Sequence, residues 1–157
     1  MSTDFESLKL WLVDCIGHQL VHALGAFHVF ETKKNGQPLA VSFLFFGAEM
    51  GTIKCAPDGA SIAYSSDEVA ECDLGEYGGE KVFLLADDAC FSKVMGKKLT
   101  SFALISSSVE KTLVGVQLHF KNSLSVSIVN LGDELIVYNN IPLEIISCQG
   151  LDFIDFS

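Results

Sequence analysis

The stretch VGVQLHFKNSLSVSI, residues 114–128, leaves few foldings open. Val114, Val116, Leu118 and Phe120 alternate with small or polar residues, and Leu124, Val126 and Ile128 alternate with Ser125 and Ser127. A period of two places each apolar set on one face of a strand. Loop length then decides whether the two faces agree. A two-residue loop would pair Phe120 with Ser125 and set the apolar faces against each other. A three-residue loop, Lys121-Asn122-Ser123, pairs Phe120 with Leu124, Leu118 with Val126 and Val116 with Ile128, which keeps one continuous apolar face. The sequence predicts that register, with Asn122 or Ser123 left-handed and His119 pointing outward opposite Ser125.

The same period recurs earlier. Val29 to Thr32, a turn at Lys33-Lys34-Asn35-Gly36 and an apolar strand from Leu39 to Phe46 read as a hairpin. In Ala56-Pro57-Asp58-Gly59, Pro at the second position and Gly at the fourth give a type I turn joining Met50–Cys55 to Ala60–Tyr64. Ahead of these strands the spacing is helical. Thr3 and Glu6 fit a capping box, Phe5, Leu8, Leu12, Ile16, Leu20, Ala23 and Leu24 form a stripe, and Gly25 is a natural stop, so a helix over 3–24 is expected.

LAVSFLFFGAEM (39–50) aligns on LSVSIVNLGDEL (124–135) at Leu39/Leu124, Val41/Val126, Ser42/Ser127, Gly47/Gly132 and Glu49/Glu134. Each copy continues as strand, proline-containing turn and strand, which suggests half-repeats over 26–65 and 99–148. Between them, residues 66–80 read as a loop, Lys81–Leu85 as a strand and Asp87–Gly96 as a short helix; Leu99–Ile105 returns to strand, and LEIISCQGLDFIDFS reads as strand plus tail. With no Pro- or Ser-rich linker, residues 1–157 form one α+β domain, an N-terminal helix packed on a largely antiparallel β-sheet.

Charge is concentrated in one place. Of 20 acids and 10 lysines, residues 65–90 hold eight acids and one lysine, which supplies −7 of the net −10. The chain has no arginine, so the usual bidentate reader of phosphate and guanine is missing and direct nucleic-acid binding is not expected. The five cysteines, Cys15, Cys55, Cys72, Cys90 and Cys148, are odd in number and contain no C-x-x-C pair, which points to a reducing cytoplasm rather than a disulfide framework. The N-terminus lacks a basic leader, and no apolar run approaches the roughly 20 residues needed to span a bilayer, so a soluble protein without membrane association is expected.

Three residues invite a metal reading. On the expected helix, Cys15, His18 and His22 share a face, a workable clip for a metal-dependent enzyme. Against this, position 19 is Gln where a zinc-protease motif has Glu, and histidines beside a buried stripe more often serve as satisfied polar residues. No nucleophile elbow or phosphate loop is present. No catalytic residue, metal site or cofactor is therefore assigned.

The remaining candidate is SSDEVAECDLGEYGGE, residues 65–80. Asp67, Glu68, Glu71, Asp73, Glu76 and Glu80 create a field that would steer a basic partner, and Tyr77 supplies an aromatic anchor of the kind enriched at interface hot spots. A solvated loop is the competing reading, and calcium is disfavoured because the D-x-[DN]-x-[DN]-G spacing is missing.

Across GVQLHF and LSVSIVNLGDEL, within residues 115–135, the chain resembles small bacterial proteins that end in an antiparallel hairpin followed by N-x-G-D-E-L. Some small acidic proteins of this sort are immunity proteins of contact-dependent or polymorphic toxin systems. The resemblance implies a cytoplasmic inhibitor, monomeric or weakly dimeric, that neutralises a cognate basic toxin, often a nuclease, through its acidic surface. A type III secretion-type chaperone, also small, acidic and α+β, is the second binding reading.

Overall fold

The structure, a computed structural model, describes residues 3–157, with side chains from residue 5 onward. Its elements are α1 (Thr3–Cys15), β1 (Leu20–Phe30), β2 (Lys33–Lys34), β3 (Ala40–Phe45), β4 (Gly51–Cys55), β5 (Ile62–Ser65), β6 (Cys72–Asp73), β7 (Gly79–Leu84), β8 (Leu99–Ser107), β9 (Thr112–Phe120), β10 (Leu124–Asn130), β11 (Leu135–Tyr138), α2 (Leu143–Gln149) and β12 (Leu151–Phe156). All strand pairs are antiparallel. One sheet runs β5-β4-β3-β1-β7-β6, with β2 paired to β1; the other runs β11-β10-β9-β8-β12. The expected α+β class holds, with the N-terminal helix on curled antiparallel sheet.

The hairpin of β9 and β10 has the predicted register: Phe120 faces Leu124, Leu118 faces Val126, Val116 faces Ile128, and His119 faces Ser125. Both Asn122 (φ 70°) and Ser123 (φ 60°) are left-handed. The type I turn is also present, with Gly59 N donating to Ala56 O at 3.1 Å. Asp58 completes it by accepting from the Ala60 and Ser61 amides and the Ser61 hydroxyl.

The inner faces of both sheets and one side of α1 share a single apolar core. Leu8, Trp11, Leu12 and Cys15 of the helix pack with Phe43, Phe45 and Ile53 of the first sheet and Phe102, Leu104, Leu118 and Phe120 of the second. Phe45 and Phe120 stack across the sheets at 6.3 Å between ring centroids. A smaller cluster on the outer side of the second sheet, including Ile105, Val129 and Leu151, is covered by Ile145 and Ile146 of α2.

Four expectations are corrected. The first helix ends at Cys15, and residues 20–24 belong to β1. The cause is tertiary: Gly17 N donates to Leu99 O, Leu99 N to His18 O and Leu20 N to Lys97 O, zipping the chain onto the start of β8. A bulge between Leu20 and His22 inserts one residue, so the buried positions Leu20 and Ala23 are three apart and imitate helical spacing. The expected Thr3 cap lies outside the described side chains.

The turn after β1 is Glu31-Thr32, both at positive φ (49° and 70°), and Lys33-Lys34 is strand rather than turn. Residues 87–96 form successive hydrogen-bonded turns and no α-helix. LEIISCQ is the helix α2, not strand; it ends at left-handed Gly150, and the chain returns as the edge strand β12. Hence the second copy of the internal alignment runs into a helix where the first runs into β5.

Candidate binding surface

Residues 66–80 have two parts, and neither is a loose loop. The first, Ser66–Glu71, is a strap across the outer face of the first sheet. Core-facing Val41, Phe43 and Ile53 alternate with Ser42 and Thr52, which point to the other face and pair across β3 and β4. Both are buried because the strap lies over them. Thr52 Oγ1 donates to Asp67 O at 2.5 Å, so its single hydrogen is committed. Ser42 Oγ must then donate to Thr52 Oγ1, also at 2.5 Å, while accepting from Val69 N at 2.9 Å. The result is one relay, from the Val69 amide through Ser42 and Thr52 to the Asp67 carbonyl.

At the far edge of the sheet, Glu71 Oε2 accepts from Val82 N at 3.1 Å. Strand β6 is only two residues long, pairing Cys72 with Glu80 and Asp73 with Gly79, so this carboxylate takes the amide that the strand does not reach. The second part is the hairpin of β6 and β7 at the sheet edge. Asp73 Oδ1 accepts from Gly75 N at 2.8 Å, forming the turn, and a 3-10 turn spans Gly75–Tyr77. His28 Nε2 and Tyr77 O are 2.8 Å apart. Gly78 (φ 92°) lies so close to the Val29 carbonyl that a Cβ there would collide with it.

This geometry divides the seven candidate residues. Glu71 and Asp73 hold the fold with their carboxylates, and Asp67 uses its backbone. The side chains of Asp67, Glu68 and Glu76 face solvent, Glu80 is half-buried opposite His28, and Tyr77 is 69% exposed. Leu74 adds apolar surface beside Tyr77. Ser42, Thr52 and His28, which anchor the segment, were not distinguishable in sequence: Ser42 sits within an apolar run and its partner is ten residues away.

The expected helical face of Cys15, His18 and His22 does not form. Cys15 closes the helix in the core, His18 sits in the following turn, and His22 is exposed on β1. Burial, reinforced by Asp14, pushes the Cys15 thiol up to about 12, leaving it protonated near neutral pH. Among the described residues no group of three or more His, Cys, Asp or Glu side chains is placed to hold a metal ion, and no helix is long and apolar enough to cross a membrane.

The N-x-G-D-E-L signature has a structural explanation. Gly132 (φ 68°) and Asp133 (φ 65°) are the central residues of the β10–β11 turn, closed by Leu131 N donating to Glu134 O at 2.9 Å. Asn130 is buried; its Nδ2 donates to Ser61 O and its Oδ1 accepts from Asp133 N, each at 2.9 Å. No protein-family model matches the chain, and no curated protein or solved structure is significantly similar to it.

Proposed function

We propose that this protein is a stoichiometric inhibitor of the immunity-protein kind, which captures a basic protein toxin on the strap and hairpin of residues 67–80. The observation that carries the reading is the division of labour just described. Internal hydrogen bonds fix the backbone of the segment, so Asp67, Glu68, Glu76 and Tyr77 are presented without the cost of ordering a loop on association. Clustered, solvent-facing carboxylates accelerate encounter with a cationic surface, and an exposed aromatic between acids supplies contact area that slows release. A basic nuclease, whose substrate cleft is cationic, is the class of partner that such a surface would cover.

The test is co-expression with toxin-like neighbouring gene products and capture at low and high salt. A one-to-one complex with a basic protein, weakened by salt, is expected. The variant D67N/E68Q/E76Q/Y77A, which spares Glu71 and Asp73, should lose that complex while keeping its melting temperature. A complex of undiminished affinity would remove this surface from the interface.

A further inference from the structure

A recess lies on the inner side of the β5 edge, away from the hairpin. It has a volume of about 590 Å³ and opens between α1 and the β3–β4 turn. Asp14 lines one wall and Glu49 the other, and both are exposed. Tyr64 and Trp11 also line it, their rings 5.4 Å apart and inclined by 30°. Trp11 is held in place by its indole N–H, which donates to Glu49 O at 2.8 Å. Burial and the Glu49 carboxylate raise the Tyr64 phenol above its ordinary pKa, so the ring enters as a neutral donor. Leu10, 61% exposed, supplies an apolar rim on the helix side.

From this arrangement we infer that the recess receives an arginine side chain of a protein partner. Two carboxylates on separate elements suit a planar fork with several donors, a phenol ring suits the face of a guanidinium, and the apolar rim suits the side-chain methylenes. Lysine, a compact point charge, would use one wall only. The chain itself contains no arginine that could occupy the site. No lysine lines the recess to neutralise it. The proposal rests on the reading of a basic protein partner only for the molecule that carries the side chain; the preference of the recess is testable without that partner.

Trp11 is the single tryptophan, so its emission and its indole N–H resonance report on this recess alone. The experiment titrates the full chain with N-acetyl-argininamide and, separately, with its neutral isostere N-acetyl-citrullinamide, following both signals. Saturable shifts with the arginine compound and none with the citrulline compound are expected. D14N/E49Q, at two exposed positions, should weaken the response at least tenfold with an unchanged near-ultraviolet spectrum, whereas E110Q/E144Q, at exposed acids outside both surfaces, should leave it intact. Equal responses to the two compounds, no response, or a wild-type response from D14N/E49Q would overturn the inference. If a basic protein is captured through the hairpin while argininamide is ignored, this inference alone fails. If argininamide binds and no basic protein is captured, the inhibitor reading fails instead.

Discussion

Ser42 donates to Thr52 across 2.5 Å at the centre of the outer face of the first sheet, and every other bond of the pair goes to the acidic strap. Ser42→Ala removes the acceptor of a part-buried amide, and Thr52→Val removes the donor to Asp67 O. Each should cost about 1–3 kcal/mol, the usual penalty for stranding a buried polar group. Hydrogen exchange at Val69 should accelerate in S42A, with amides of β9 unchanged. Ser127, which aligns with Ser42, is equally buried, yet its hydroxyl has no hydrogen-bond partner among the described residues. Ser127→Ala should therefore be neutral or stabilising in the same denaturant titration. A destabilisation equal to that of S42A would mean that hydroxyl burial, and not the strap, governs both sites.

Glu31 and Thr32 occupy a two-residue turn that requires positive φ at both positions, and neither residue suits it. A left-handed conformation costs a residue with a Cβ roughly 1–2 kcal/mol, more readily borne by Asn and absent in Gly. The double substitution E31N/T32G should raise stability by about 1 kcal/mol, measured as a shift in denaturant midpoint at constant slope. An unchanged or lowered midpoint would show that Glu31 and Thr32 make compensating contacts.

What could be read from sequence follows the same physics. The β9–β10 register was legible because six alternating apolar residues, Val116, Leu118, Phe120, Leu124, Val126 and Ile128, and one loop length admit a single continuous face; Val114 leaves that face for the outer cluster, because the strand is irregular opposite Ile105 and Ser106. The β1 turn was not, because Lys33-Lys34-Asn35-Gly36 carries stronger turn residues than Glu31-Thr32. The length of α1 was misread because one bulge converts alternation into a spacing of three between Leu20 and Ala23. Of the acidic surface, the composition was visible. The roles of Glu71 and Asp73 were not, since they depend on the Val82 and Gly75 amides and hence on sheet order.

The cysteines should separate by reactivity. Cys72 and Cys148 are exposed, whereas Cys15 is fully buried and its thiol is raised to about 12 by burial and then by Asp14. The thiolate is the reactive form, so at pH 8 alkylation should label Cys72 and Cys148 within minutes and Cys15 only through unfolding. The sign for stability follows. A folded pKa above the unfolded value of 9.0 means that the unfolded chain loses its proton first. The Cys15 contribution is complete below pH 9 and declines as pH rises from 9 towards 12. Cys15→Ala, compared with the wild type, should flatten that alkaline loss in thermal melts; an identical slope would show that other groups carry it.

Gly51 opens β4 directly beneath Trp11, whose six-membered ring lies where a Cβ would project. The indole is not free to swing away: it packs against Tyr64, 5.4 Å between ring centroids, and is tied through its N–H to Glu49 O. Gly51→Ala must displace the indole, stretching that hydrogen bond and pressing the ring on Phe43 and Phe45, whose centroids lie 6.5 and 6.4 Å away. Overpacking of this kind costs typically about 1–3 kcal/mol. Gly36 is the internal control, since a Cβ there meets nothing within 4 Å. Gly36→Ala should be neutral or slightly stabilising through the unfolded chain. The expected pair of results is a lowered denaturant midpoint with a shifted tryptophan emission maximum for G51A, and neither change for G36A. If G51A kept the wild-type emission and stability, Trp11 would have to sit elsewhere, and the recess it lines would lose its aromatic floor.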